Sequence, residues 1–139
     1  MTKRNFKKIC TLKGGISTER EISLLSGKAM ADAARSLGYD VEEFDFIGDV
    51  AAFISYIKET NPDCVINGLH GKGGEDGNIQ ALLNFLKIPY THSGVLASSV
   101  GMDKQISESI FKHKGIRVPR AHLFTWKEFK KLQDFQVNK

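Results

Sequence analysis

Two short stretches hold residue types that do chemistry. The first, Gly14-Gly15-Ile16-Ser17-Thr18-Glu19-Arg20-Glu21, joins two glycines to two hydroxyls and two carboxylates. Its glycines let the backbone turn sharply, and a helix starting after them presents free N–H groups. The spacing is neither GxGxxG nor GxxxxGK[ST], so dinucleotide and Walker-type phosphate binding are poorly supported. A carboxylate at such a turn suits an ammonium ligand or a proton-relay partner. It also suits the positive end of a helix dipole, an effect worth only ~0.3–1 kcal/mol. Glu21 is assigned to the dipole, and for Glu19 both roles stay open.

The second stretch is His70-Gly71-Lys72-Gly73-Gly74-Glu75-Asp76-Gly77, with four glycines, one His, one Lys and two acids in eight residues. Glycines at that density imply positive φ angles or close backbone approach to a ligand. A lone His at a strand end is usually structural, but glycines beside it, where ligands dock, shift that balance. Asp76 is expected to cap the helix that starts near Asn78. Glu75 is expected to hydrogen-bond His70 and orient its ring.

The elements around these stretches place them at one edge. Residues 6–13, 41–46 and 63–69 predict strands, with Cys64, Val65 and Ile66 continuously apolar, as in parallel sheets covered on both faces. Residues 50–59 and 78–87 predict helices. Ser17 or Thr18 is expected to cap a long first helix whose core stripe is Ile22, Leu25, Ala29 and Ala33, flanked by Met30, Ala34 and Leu37. Gly38 ends it in a left-handed cap. Helices are also expected over 94–100, 104–114 and from 126, with a short strand over 120–124. The β-α-β-α-β-α order describes right-handed crossovers, and ligands of such sheets bind at the carboxyl ends of the strands. A Pro/Gly connector at 115–119 suggests a boundary, giving a domain over 1–118 and the start of another over 119–139.

Composition narrows the classes. The chain has 139 residues, 41% hydrophobic and 26% charged, with only 3 Pro, which excludes collagenous and disordered classes. No apolar run approaches the roughly 18 residues of a membrane span, and no apolar segment follows the basic N-terminus as in a secretory signal. Residues 1–8 hold four basic residues and no acid, residues 9–101 carry a net charge of −5, and residues 102–139 carry +5. A basic end suggests phosphate or nucleic acid, but no nucleic-acid motif accompanies it. Cys10 and Cys64 sit in apolar runs without CxxC spacing and read as reduced, cytosolic thiols. No cluster has metal-ligand spacing. The length is short for an enzyme that encloses two substrates.

At this point the chain resembles a known family. Residues 14–27 read GGISTEREISLLSG and residues 70–81 read HGKGGEDGNIQA. With Ser93-Gly94-Val95 and Met102-Asp103-Lys104, they are similar to the N-terminal region of D-alanine–D-alanine ligases, in the same order and over nearly the whole chain. The resemblance implies an α/β fold, a three-layer parallel sheet of the Rossmann-like, pre-ATP-grasp type. It implies an enzyme that joins two D-alanines through an acyl phosphate made with ATP and Mg²⁺, for cell-wall precursors. By motif match, Glu19 would receive the ammonium of the first D-alanine and Ile22 would line that subsite; Ser23, one helical turn from Glu19 on the same face, is expected to contact the substrate in the same region. His70 would stand near the D-alanine carboxylate, supported by Glu75, and Lys104 would face the ATP phosphates.

The family's ATP-gripping lysines and Mg²⁺-binding carboxylates lie downstream of the matched region. The resemblance therefore implies a piece of a longer ligase, inactive alone, cytoplasmic and homodimeric when whole, with no membrane or nucleic-acid partner. A stand-alone α/β module binding an amino acid or phosphate is the alternative. A receiver-like regulatory domain is discounted, because Lys13-Gly14 and Leu69-His70 occupy the positions its acids need.

Overall fold

The computed structural model of the chain describes residues 6–137, with side chains as far as Lys131. Strands β1 (Lys8–Gly14), β2 (Asp40–Phe46) and β3 (Cys64–Asn67) form a parallel sheet in the order β2-β1-β3. Leu12 registers with Phe44 on one side and Asn67 on the other. Tyr90 adds one parallel bridge to Val65.

Side-chain alternation along the strands feeds two cores. Cys10, Leu12, Phe46 and Val65 point to one face, where Phe53 and Ile57 of helix α2 (Val50–Thr60) and Ile79 and Leu83 of α3 (Asn78–Phe85) cover them. Ile9, Val41 and Ile66 point to the other face, against Ala31 and Ala34 of α1 (Arg20–Ser36). The sheet is therefore the middle of three layers, as the continuous apolar run of β3 requires. Cys10 is fully buried, and burial pushes its thiol up to about 12, so it is unreactive.

The buried face of α1 differs from the expected stripe. Ser23, Gly27, Ala31 and Ala34 face the sheet, while Ile22, Leu25 and Leu37 are 59%, 70% and 76% exposed. Close approach explains the choice. A Cβ on Gly68 would stand 3.1 Å from Gly27 Cα and 3.0 Å from the Leu12 carbonyl, and one on Gly27 would overlap Lys13 Cβ. Only small side chains fit between backbones that near, so size overrides hydrophobicity.

The helix ends follow local chemistry. Gly38, at φ +86°, closes α1 as expected. Asp49 caps α2 by accepting from Ala52 N (2.9 Å). Helix α4 (Val95–Met102) ends the first of two compact units, at Met102. The second begins at Asp103 and contains α5 (Lys104–His113) and α6 (Trp126–Val137). The connector at 115–119 lies inside that second unit. Asp103 caps α5 through Ile106 N (2.9 Å). Thr125 and Glu128 cap α6 reciprocally, a capping box that the sequence reading missed. Residues 120–124 form no strand. They are exposed, and without a paired neighbour an extended segment leaves its ladder bonds to water.

Candidate functional site

Both chemical stretches meet at the carboxyl edge of the sheet. The first leaves β1 and enters α1, and its backbone is secured before any ligand is considered. Gly14 N donates to Ser23 Oγ (2.9 Å) and Gly15 N to the Phe46 carbonyl (2.7 Å). Arg20 reaches back across the turn. Its guanidinium donates to Asp45 (2.7 Å) and to the Gly15 and Phe46 carbonyls (both 3.3 Å). Glu19 N donates to Ser17 Oγ (3.1 Å) and Arg20 N to the Ser17 carbonyl (3.2 Å). The N–H groups of Gly14, Gly15, Glu19 and Arg20 are thus committed.

Glu19 itself occupies the N-cap position of α1, and neither Ser17 nor Thr18 does. Ser17 serves another purpose. Its hydroxyl donates to the His70 carbonyl (2.8 Å), tying together two loops 53 residues apart. Glu19 Oε2 rests against Gly71. A Cβ there would overlap that oxygen and stand 3.1 Å from Ser17 Oγ, and Gly71 also has φ +65°. The residue after His70 is thus glycine for two reasons, conformation and the approach of the Glu19 carboxylate.

The second loop is held by carboxylates and amides. Gly71 N donates to Glu75 Oε2 (2.7 Å) and Gly73 N to Asp76 Oδ2 (2.9 Å). Asp76 Oδ1 accepts from Asn78 N (3.2 Å) at the start of α3, although Gly77 is the N-cap residue. Burial opposes charge on Asp76, but donors from Gly73 and Asn78 outweigh it and hold its carboxyl below the ordinary 3.8. Two fully buried amides, Asn67 and Gln80, both donate to the Gly74 carbonyl (2.9 Å each).

His70 is half-buried. Its Nε2 lies 2.9 Å from Ser26 Oγ on α1, and its Nδ1 lies 3.7 Å from Glu75 Oε1. The second distance is too long for a hydrogen bond, so the expected Glu75–His70 bond is an electrostatic contact. The main bond of Glu75 is the one to Gly71 N. The order carboxylate, imidazole, hydroxyl is that of a nucleophile triad. However, the Ser26 hydroxyl donates to the Ile22 carbonyl (2.9 Å), and the first link of a triad is not closed.

Glu19, Ile22 and Ser26 follow one another along the outer face of α1, at helical spacing. Ile22 is exposed there and able to meet a ligand methyl group. Ser23 is not, because its hydroxyl is fully buried, accepting from Gly14 N and donating to the Gly68 carbonyl (2.6 Å). It joins α1 to the ends of β1 and β3. Lys104 opens α5 in the second unit and is exposed. Among the described residues, no three His, Cys, Asp or Glu side chains form a metal site. The first unit thus presents an anionic carboxylate beside an imidazole and an apolar side chain, a set suited to a small zwitterion.

Ser26, Ser17, Asn67 and Gln80 escaped the sequence reading. Ser26 lies two helical turns after Glu19, and that spacing was the available signal. Asn67 and Gln80 are polar residues at inward positions, next to the Gly-rich loop.

Comparison with known proteins gives the chain its relatives. A family model described as D-ala D-ala ligase N-terminus matches residues 48–93. The D-alanine–D-alanine ligase of Cereibacter sphaeroides is 47% identical over 125 residues, covering 90% of this chain and 40% of that protein. The ligase of Rhodospirillum rubrum is 49% identical over 112 residues, covering 81% and 37%. Among solved structures, the Bacillus anthracis ligase complexed with ATP matches with a TM-score of 0.73 at 31% identity, over 91% of this chain and 44% of that one. This chain spans about 40% of the length of the curated relatives it matches.

Proposed function

We propose that the chain is the N-terminal domain of a D-alanine–D-alanine ligase and supplies the wall of the active site that holds the first D-alanine. Glu19 receives the ammonium group. Ile22 packs on the methyl group, and His70 stands near the carboxylate. Anchoring the ammonium positions that carboxylate for activation, which is where orientation lowers a barrier most. The observation that carries this reading is the meeting of Glu19 Oε2 with Gly71, beside His70. A carboxylate placed only for the helix dipole would not need that contact.

The rest of the ligase reaction belongs to the same proposal. ATP and Mg²⁺ supply a phosphoryl group and its counter-charge. Among the described residues no cluster of His, Cys, Asp and Glu would hold the metal ion. Lys104 is proposed to face the ATP phosphates, and residues 119–139 to open the central domain. A homodimeric assembly and a cytoplasmic location are part of the same proposal, as the resemblance to the family implies. The matches run to ligase chains, so the stand-alone binding module is not favoured.

A chimaera tests the reading. This chain would replace the matching segment of the Cereibacter sphaeroides ligase, with and without Glu19→Gln. Loss of a charged hydrogen bond costs about 1.5–3 kcal/mol, or roughly 10–100-fold in KM for the first D-alanine. The KM for ATP should not move. Equal D-alanine kinetics in both chimaeras would return Glu19 to the helix dipole.

A further inference from the structure

Ser26 Oγ has one proton and two short polar neighbours, the Ile22 carbonyl and His70 Nε2, each at 2.9 Å. A carbonyl only accepts, so the hydroxyl proton goes to Ile22. The oxygen then offers His70 a lone pair, and Nε2 must carry the hydrogen. The opposite arrangement puts the ring proton on Nδ1 and turns the hydroxyl toward Nε2. It gives up the Ile22 bond and leaves Nδ1–H 3.7 Å from Glu75 Oε1, beyond hydrogen-bond reach. The first arrangement closes two bonds and the second closes one.

We propose that Ser26 is a positioning residue that grips the His70 ring by Nε2 and keeps the neutral ring's proton there. Nδ1 is then the ring atom that gains or releases a proton, and Glu75 is the carboxylate beside it. The consequence for D-alanine rests on the function proposed above, since it needs His70 in that site. The grip itself does not.

The test reads the imidazole nitrogens of His70 by ¹⁵N NMR in the 139-residue chain, in alkaline buffer where imidazoles are neutral. The wild type is expected to show a protonated Nε2 and an unprotonated Nδ1. Ser26→Ala should move the two shifts toward each other, as the ring exchanges between tautomers. Ser26→Thr keeps a hydroxyl on Cβ and should restore the wild-type pattern. Backbone amide shifts of Leu12 and Val65 report whether each variant is folded. A wild-type ring protonated on Nδ1 overturns the proposal, and that reading needs no variant. So does a folded Ser26→Ala chain with unchanged nitrogen shifts. No substrate enters the experiment, so failure of the D-alanine reading leaves the result standing, and the reverse also holds.

Discussion

Asp76 shows how single residues set the loop beside His70. Its carboxylate accepts from Gly73 N and Asn78 N, and its folded pKa lies below the ordinary 3.8. Its contribution to stability is therefore complete above 3.8. The contribution is lost as pH falls through the lower folded value, where the folded state also takes up the proton. Asp76→Ala should cost about 1–3 kcal/mol at neutral pH, measured by urea unfolding. The gap from wild type should narrow in acid below 3.8. A gap that stayed constant with pH would assign the loss to packing. The loops that carry Glu19 and His70 were legible in the sequence because glycine density marks a loop at a strand end. Ser26 was not, because its partner is 44 residues away and only its helical spacing from Glu19 pointed to it. Ser23 was misjudged for a related reason. Spacing places it one turn from Glu19, but the close approach of α1 to the sheet turns it inward.

At the scale of elements, α1 tests how small residues set the site. Gly27 lets the helix lie on β1, and that approach lets Ser23 bridge the ends of β1 and β3. Gly27→Ala would raise helix propensity by about 1 kcal/mol. The added Cβ would overlap Lys13 Cβ, an overpacking cost of roughly 1–3 kcal/mol, so the variant should be no more stable than wild type and most plainly less. Leu25→Ser, on the expected but exposed stripe, should change stability by less than about 0.5 kcal/mol. Urea midpoints of the two variants check both statements. A stabilised Gly27→Ala or a strongly destabilised Leu25→Ser would reverse the assignment of faces. Strand and helix order was readable from periodicity and turn residues. The buried face of α1 was not, because two helical stripes compete and only tertiary distance chooses the smaller residues.

At the scale of the whole molecule, the first unit brings Glu19, Ile22 and His70 to one edge of a three-layer sheet. The resemblance of motifs located those residues, and the fold supplies their reason for being adjacent. The direction of α1 puts Glu19 over Gly71, and Ser17 ties the two loops. The basic excess after residue 101 marked a second part of the chain, yet composition alone did not divide the two units at Met102. The central claim is that this edge is the D-alanine wall of a ligase, and the unmodified chimaera with the Cereibacter sphaeroides ligase measures it most directly. D-alanine-dependent ADP release should remain within about tenfold of the parent, a difference of about 1.4 kcal/mol or less in the barrier. A chimaera that folds and binds ATP but releases no ADP with D-alanine would contradict the claim.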